Sequence, residues 1–284
     1  MSTHVLVVAD HQLSHSVALS RASEFVGESD TKITVLAFID TGGSNDEEIS
    51  LREQREALLS TAAKILGRRP NLSLELVSTL DIASYCADFC RQNQVDLVVK
   101  AGHRSEPPLY TPLDWRLLKS LPCPVIIAVN RQGSGQRKLL VTLDSQSHSP
   151  TQKALDRKVL DWSAAWVRDQ DYALYIACCV EASDPLTNTD IQQLMELESR
   201  MRLRIEPVIR QMLEELSLPC KGILVSAGTP ASVLRRLADE LDADLVAVGY
   251  TARHGLGELL IGHTAEQLML RMDKNLAVIP GATE

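Results

Sequence analysis

The residues with chemistry to offer gather in one stretch, VAVGYTARHGLGELLIGHTAEQLMLRM, from Val246 to Met272. An apolar run ends in Gly249, a polar segment carries Arg253, Gly255 and Gly257, and Gly262, His263 and Thr264 stand before a helical period. Glycine lets a backbone pass close to phosphate or adopt positive φ. The first amides of a helix are unpaired and carry partial positive charge, so a helix opened by Gly262 is an anion site. Thr264 adds a hydroxyl and Arg253 a cation. The matching stretch of the first half, LVVKAGHRSEPPLYTPLDWRLLKSL, keeps Gly102 but sets Pro107, Pro108 and Pro112 where such glycines would stand. Proline has no amide proton and fixes φ, so that loop has lost donors. GxxxxGK[ST] is absent, and no GxGxxG follows a strand.

Other candidates carry weaker signals. His11 and His15 are spaced i, i+4 beside Asp10, with His103 in the first-half loop. These types would bind zinc if they converged, and solvated helix-start histidines look the same. Tyr110, Leu113 and Trp115 either line an apolar pocket or cap the core, and aromatics usually pack. Cys86 and Cys90 are also i, i+4, but they align with Leu234 and Ala238 of the second half, which makes them core residues. Asp144, Arg253, His254 and His263 have no paired carboxylates or acidic metal-binding run beside them, so rapid hydrolysis is not expected.

The elements that must position these residues follow a regular plan. Short β-branched runs alternate with helical periods, the pattern of parallel α/β units. Strands are expected at His4–Ala9, Lys32–Phe38, Leu72–Val77, Val95–Lys100 and Val125–Val129, with helices near Leu13–Val26, Asp46–Leu66, Ile82–Asn93 and Leu113–Ser120. NRQGSGQRK, Asn130 to Lys138, is a polar linker. Then the plan restarts, with strands at Leu139–Leu143, Tyr172–Cys178, Gly222–Ser226, Leu245–Val248 and Leu276–Ile279. VLVVAD ending at Asp10 matches LLVTLD ending at Asp144, an offset of 144 − 10 = 134. The stretch from Ser78 matches that from Ser226 without a gap, an offset of 226 − 78 = 148. The extra 148 − 134 = 14 residues therefore fall between the first and third strands, and the longer second helical region, Thr187 to Leu216, can absorb them; Glu206-Pro207 within it predicts a kink or break. This reads as a tandem duplication, with domains at 1–131 and 138–284.

Each half resembles a universal stress protein domain, and the whole chain resembles that family's tandem members of the E type. The resemblance rests on a first strand ending in aspartate (Asp10, Asp144), a fourth strand leading into Gly-x-x-Gly-x(9)-Gly-(Ser/Thr), and a PCPV strand, met here as PCPVIIAV from Pro122. The second half keeps Gly249 and Gly262 of the glycine pattern but has Ala252 for its second glycine and His263 at the hydroxyl position. The resemblance implies an α/β fold of two doubly wound parallel five-stranded sheets, each in the order 3-2-1-4-5 with helices on both faces. It also implies that Asp144 meets adenine or ribose, as its counterpart does in ATP-binding members. The candidate nucleotide site is therefore Asp144, Gly249, Arg253, Gly255, Gly262, His263 and Thr264, with ATP or another adenine nucleotide as the cofactor. No catalytic residue and no metal ligand is assigned.

Composition narrows the function. The formal net charge of −8 argues against nucleic-acid binding, which needs a basic face. No apolar run reaches the ~20 residues of a membrane span, and the chain enters a strand at once after Met1-Ser2-Thr3. Six cysteines without CxxC spacing suit a reduced, cytoplasmic protein without disulfides. The expectation is a non-catalytic cytoplasmic stress-response protein whose C-terminal domain binds adenine nucleotide. The alternatives are a slow ATPase using the C-terminal loop, or a binder of a small amphiphile or zinc in the N-terminal domain. Intramolecular pairing of the two domains through their fifth strands is expected, with a homodimer as the other outlet for those edges.

Overall fold

The computed structural model describes residues 3–9, 16–26, 31–39, 47–67, 69–102, 113–129, 135–180, 191–251, 253–255, 258–260, 267–268 and 272–281. The chain divides into two compact units, Met1–Asn130 and Arg131–Glu284.

In the first unit, β1 (His4–Ala9), β2 (Lys32–Phe38), β3 (Leu72–Val77), β4 (Leu97–Ala101) and β5 (Val125–Ala128) alternate with α1 (Val17–Phe25), α2 (Glu47–Leu66), α3 (Ile82–Asn93) and α4 (Leu113–Ser120). The strands are parallel and lie in the order β3-β2-β1-β4-β5. Every residue of β1, β4 and β5 is buried, as expected when both sheet faces are covered. Helix α1 packs with α2, and α3 with α4. Local signals start the helices: the Ser16 hydroxyl accepts the Leu19 N–H, and the Asp81 carboxylate accepts that of Ser84. Asp81 also meets Arg116 of α4 at 2.6 Å, which ties the two helices together.

In the second unit, β6 (Lys138–Thr142), β7 (Ala173–Val180), β8 (Gly222–Ala227), β9 (Leu245–Tyr250) and β12 (Asn275–Pro280) form the parallel order β12-β9-β6-β7-β8. Its helices are α5 (Pro150–Gln170), α6 (Ile191–Glu215) and α7 (Pro230–Glu240). Relabelled by position, each unit runs 3-2-1-4-5, the order implied by the resemblance. The repetition reaches single hydrogen bonds. Asp96 accepts the first amide of β1 from His4, and Asp244 accepts the first amide of β6 from Lys138, both at 2.8 Å. A cation from the first helix closes each unit: Arg21 donates to the Val129 carbonyl at 3.1 Å, and Lys158 to that of Pro280 at 2.6 Å.

The structure corrects three sequence expectations. The inserted residues are not confined to the second helical region. Strand register gives 138 − 4 = 134 for strand one, 173 − 32 = 141 for strand two and 226 − 77 = 149 for strand three, so both helical connections are longer. Helix α5 accordingly has 21 residues against 9 in α1. The ungapped match from Ser78 also fails at its start, because register sets Val77 opposite Phe38 as Ser226 stands opposite Cys179. One residue is lost between β8 and α7, where Gly228 at φ +138° turns the chain more tightly. Finally, α6 does not break at Pro207. The carbonyl that loses its amide partner there is that of Leu203, a residue 79% exposed, so water can take the bond.

Candidate functional site

The crevice of a doubly wound sheet lies beyond the carboxyl ends of its strands, where the strand order reverses. In the second unit that place is between β6 and β9. These strands pair in parallel as Leu139 with Leu245, Leu140 with Val246 and Val141 with Ala247. Asp144, exposed, comes three residues after Val141 and just past the end of β6, and Gly249 comes two residues after Ala247 near the end of β9. Two of the expected site residues, Asp144 and Gly249, therefore both follow the paired part of these adjacent strands on the carboxyl side of the sheet.

Gly249 has a reason to be glycine that the sequence could not reveal. A Cβ there would meet Leu155 of α5, with its Cγ at 2.7 Å. Helix α5 packs so closely on β9 that no side chain fits between them, so this glycine serves helix–sheet packing. The offset of strand four also revises the first-half comparison. Leu97 and Leu245 both lie opposite the second residue of strand one, so Ala101 is the counterpart of Gly249 and Gly102 that of Tyr250. A Cβ on Gly102 would meet Ile127 Cγ2 at 2.9 Å, again a packing constraint.

Beyond β9 the chain forms a small antiparallel ribbon. Here β10 (Arg253–Gly255) pairs with β11 (Glu258–Leu260), Arg253 opposite Leu260 and Gly255 opposite Glu258. The polar segment read as a loop therefore contains a hairpin. Arg253 and Gly255 lie on its first strand, with His254 between them. Gly262, His263 and Thr264 lie outside the described residues, as do Ala252 and Gly257. So do Asp10, His11, His15 and His103, and Pro107, Pro108, Tyr110 and Pro112 of the first-half loop. Among the described residues no cluster of three or more His, Cys, Asp or Glu side chains has the arrangement of a metal site.

Beneath Asp144 lies a residue that sequence reading missed. Asp156, on the second turn of α5, is only 6% exposed. Its Oδ1 accepts the backbone N–H of Asp144 at 3.3 Å and the Gln152 side-chain amide at 2.8 Å. Burial pushes its carboxyl up to about 6; the two hydrogen bonds oppose the rise and the neighbouring Asp144 charge adds to it. The same environment pushes the Cys178 thiol of β7 up to about 11, chiefly by burial, with both aspartates contributing. The signal for Asp156 was present in the helix pattern. Asp156, Val159, Leu160 and Ser163 share one buried face of α5, and an aspartate in that register must have a partner.

The first unit carries a different missed pair. Lys100, 2% exposed near the end of β4, forms an ion pair with Asp114 of α4 and donates to the Ala101 carbonyl at 2.8 Å. A lysine inside the apolar run LVVKA called for such a partner. Leu113 and Trp115, on either side of Asp114, are half-buried.

Comparison with known proteins decides the family. The universal stress protein family model matches residues 136–280. The chain belongs to the universal stress protein family. It is 24% identical to the Universal stress protein E homolog of Haemophilus influenzae over 96% of each chain. It is 28% identical to Universal stress protein E of Salmonella typhi, over 65% of this chain and 60% of that one. Among solved structures, a putative universal stress protein from Pseudomonas aeruginosa UCBPP-PA14 superposes with a TM-score of 0.73 at 20% identity, covering 99% of this chain and 94% of that one. A universal stress protein from Archaeoglobus fulgidus gives 0.62 at 16% identity, with 99% of each chain covered. These likenesses bear out the α/β fold and the E-type resemblance. No helix among the described residues is long and apolar enough to cross a membrane.

Proposed function

We propose that this universal stress protein is a non-catalytic cytoplasmic stress-response module whose second unit binds one adenine nucleotide, while its first unit binds none. The observation that supports the reading is the junction of β6 and β9, where the strand order reverses and exposed Asp144 follows the carboxyl end of the first strand. The glycine-bearing sequence through Gly255 to Gly262 follows directly, and Arg253, His263 and Thr264 supply polar groups for phosphate. In the first unit the equivalent stretch of sequence carries Pro107, Pro108 and Pro112, which have no amide proton to offer. Buried Cys86, Cys90, Cys123 and Cys178 fit a reducing compartment.

Calorimetry with ATP tests the reading. The parent should bind close to one equivalent per chain. Gly262→Val should abolish binding by blocking close approach to the helix end, and Asp144→Ala should weaken it about tenfold, the loss of one good polar contact. Asp10→Ala, the first-unit counterpart, should change nothing. Gly102→Val is unsuitable as a control, because its side chain would strike Ile127. Two equivalents per chain, or loss of binding with Asp10→Ala, would place nucleotide in the first unit. Phosphate release from the parent well above that from Gly262→Val would favour the slow ATPase.

A further inference from the structure

We propose that His4 is a proton sensor built into the amino end of the first unit's sheet. Taking up a proton turns round a chain of hydrogen bonds that crosses β1, β2 and β3, and leaves a cation buried there. Acid therefore loosens this face of the first unit and spares the same face of the second. The device is independent of nucleotide binding.

His4 opens β1 and is 5% exposed. Its Nδ1 lies 3.0 Å from the carbonyl oxygen of Asn93, the last residue of α3. A carbonyl only accepts, so Nδ1 carries the proton. In the neutral ring Nε2 is then a bare acceptor, and Thr34 Oγ1 of β2, 2.9 Å away, donates to it. Buried Thr34 has a single proton, so in its bond to Ser73 Oγ of β3, at 3.1 Å, it can only accept. A second proton on the ring makes Nε2 a donor. Thr34 then accepts from it and donates to Ser73, and Ser73 turns to the Ile33 carbonyl, 3.5 Å away. Each link has a partner in both directions, so the ring can charge without orphaning a buried polar atom.

The groups around His4 decide how readily it charges. Removal from water disfavours the cation most, and the Phe89 ring of α3 stands edge-on, 6.3 Å away between centroids. The Asn93 carbonyl, at the negative end of α3, favours it. Lys32 at the start of β2 repels the charge, and Asp96 just before β4, whose carboxylate accepts the His4 amide, attracts it. Burial prevails and holds His4 below the ordinary histidine value. The unfolded chain therefore binds this proton more tightly than the folded one. Stability from the neutral ring is fully present above the unfolded value, about 6.5, and is lost as pH falls through the folded one.

The second unit is built without the sensor. Register sets Lys138 at the position of His4, Tyr175 at that of Thr34 and Gly222 at that of Ser73. Lys138 Nζ donates to the Leu241 carbonyl at the end of α7, at 2.8 Å, as His4 donates to Asn93 at the end of α3. The same helix end is held by an ammonium group in place of an imidazole, and lysine ordinarily titrates only near about 10.4. Neither Tyr175 nor Gly222 repeats the pair of short hydroxyls.

The test uses the full-length chain. Histidine ring signals are followed by NMR from about pH 8 to about pH 4.5, and His4→Gln, whose amide keeps a donor and an acceptor but does not titrate, identifies those of His4. The parent should show a neutral ring with its proton on Nδ1 near neutrality and a midpoint below about 6.5. Ser73→Ala, at a half-buried position, removes the acceptor that Thr34 needs once the ring is charged, so the His4 midpoint should fall further. Hydrogen exchange, corrected for the intrinsic effect of pH, reads the consequence. Protection of the Asp96 amide, which donates to the His4 carbonyl, should drop about fivefold from about pH 7.5 to about pH 5, the size of one net hydrogen bond. It should hold constant in His4→Gln, as should that of Asp244, which donates to the Lys138 carbonyl, in the parent. A proton on Nε2 at neutral pH, a midpoint at or above about 6.5, or an unmoved midpoint in Ser73→Ala would overturn the inference, even if His4→Gln does not fold. So would acid loss at Asp96 that persists in His4→Gln, or an equal loss at Asp244.

Discussion

Single residues in this protein are decided by what lies across from them, and Lys100 illustrates the point. A lysine 2% exposed in the centre of a sheet is tolerable only because Asp114 neutralises it. The pair links β4 to α4 in the first unit. The second unit has Val248, buried and apolar, at the position of Lys100. Removing one partner leaves the other buried without its counter-charge, whereas removing both restores an apolar core. Lys100→Met should therefore lower stability in urea by about 3–5 kcal/mol, and Lys100→Met with Asp114→Leu should recover most of that loss. If the double variant were as unstable as the single one, the pair would matter for its shape and not for its charge.

At the scale of elements, the sequence was legible wherever periodicity decides and opaque wherever packing does. Helices α3 and α4 and strands β1, β2 and β3 have the bounds expected from apolar runs and caps, because a capped amphipathic segment carries its own limits. The length of helix α5 shows only in strand register, which no local pattern encodes. The β10–β11 ribbon reads as a loop in the sequence because its glycines suggest turns. At the candidate site, motif position points to Asp144 and Gly249, but it does not reveal that Gly249 packs against Leu155, which lies far away in sequence. Gly249→Ala should cost about 1–3 kcal/mol through overpacking, and Leu155→Ala about 2–5 kcal/mol through a cavity. Combined, the two should cost clearly less than their sum, because the new methyl enters space vacated by leucine. Strict additivity in urea titrations would show that α5 can shift away from β9. The result also bears on function, for lost nucleotide binding in a Gly249 variant would report displaced packing as readily as a blocked phosphate.

For the whole molecule, the duplicated plan raises the question of what each sheet does with its last strand. Taken by itself, the first unit ends its order in β5, and the second in β12. Val125, Ile126, Ile127 and Ala128 form a short, uncharged strand with no proline, so as a free edge it would template pairing with another chain. Natural sheets blunt such edges with charge or bulges, and this strand has neither charge nor proline to do so. We propose that the edge is satisfied by its counterpart in the same chain or in a second copy, since duplication supplies a matching strand at no cost in specificity. The first unit expressed as residues 1–131 loses the in-chain counterpart and should self-associate. Sedimentation across the micromolar range should show dimers or larger species for this fragment. Replacing Ile126 and Ile127 together would unfold the core, so the edge is better tested by Val125→Pro. At the start of β5 a proline removes one edge amide while keeping the strand's apolar face, and it should shift the fragment toward monomer. A parent fragment that sediments as a stable monomer would mean that β5 needs no partner.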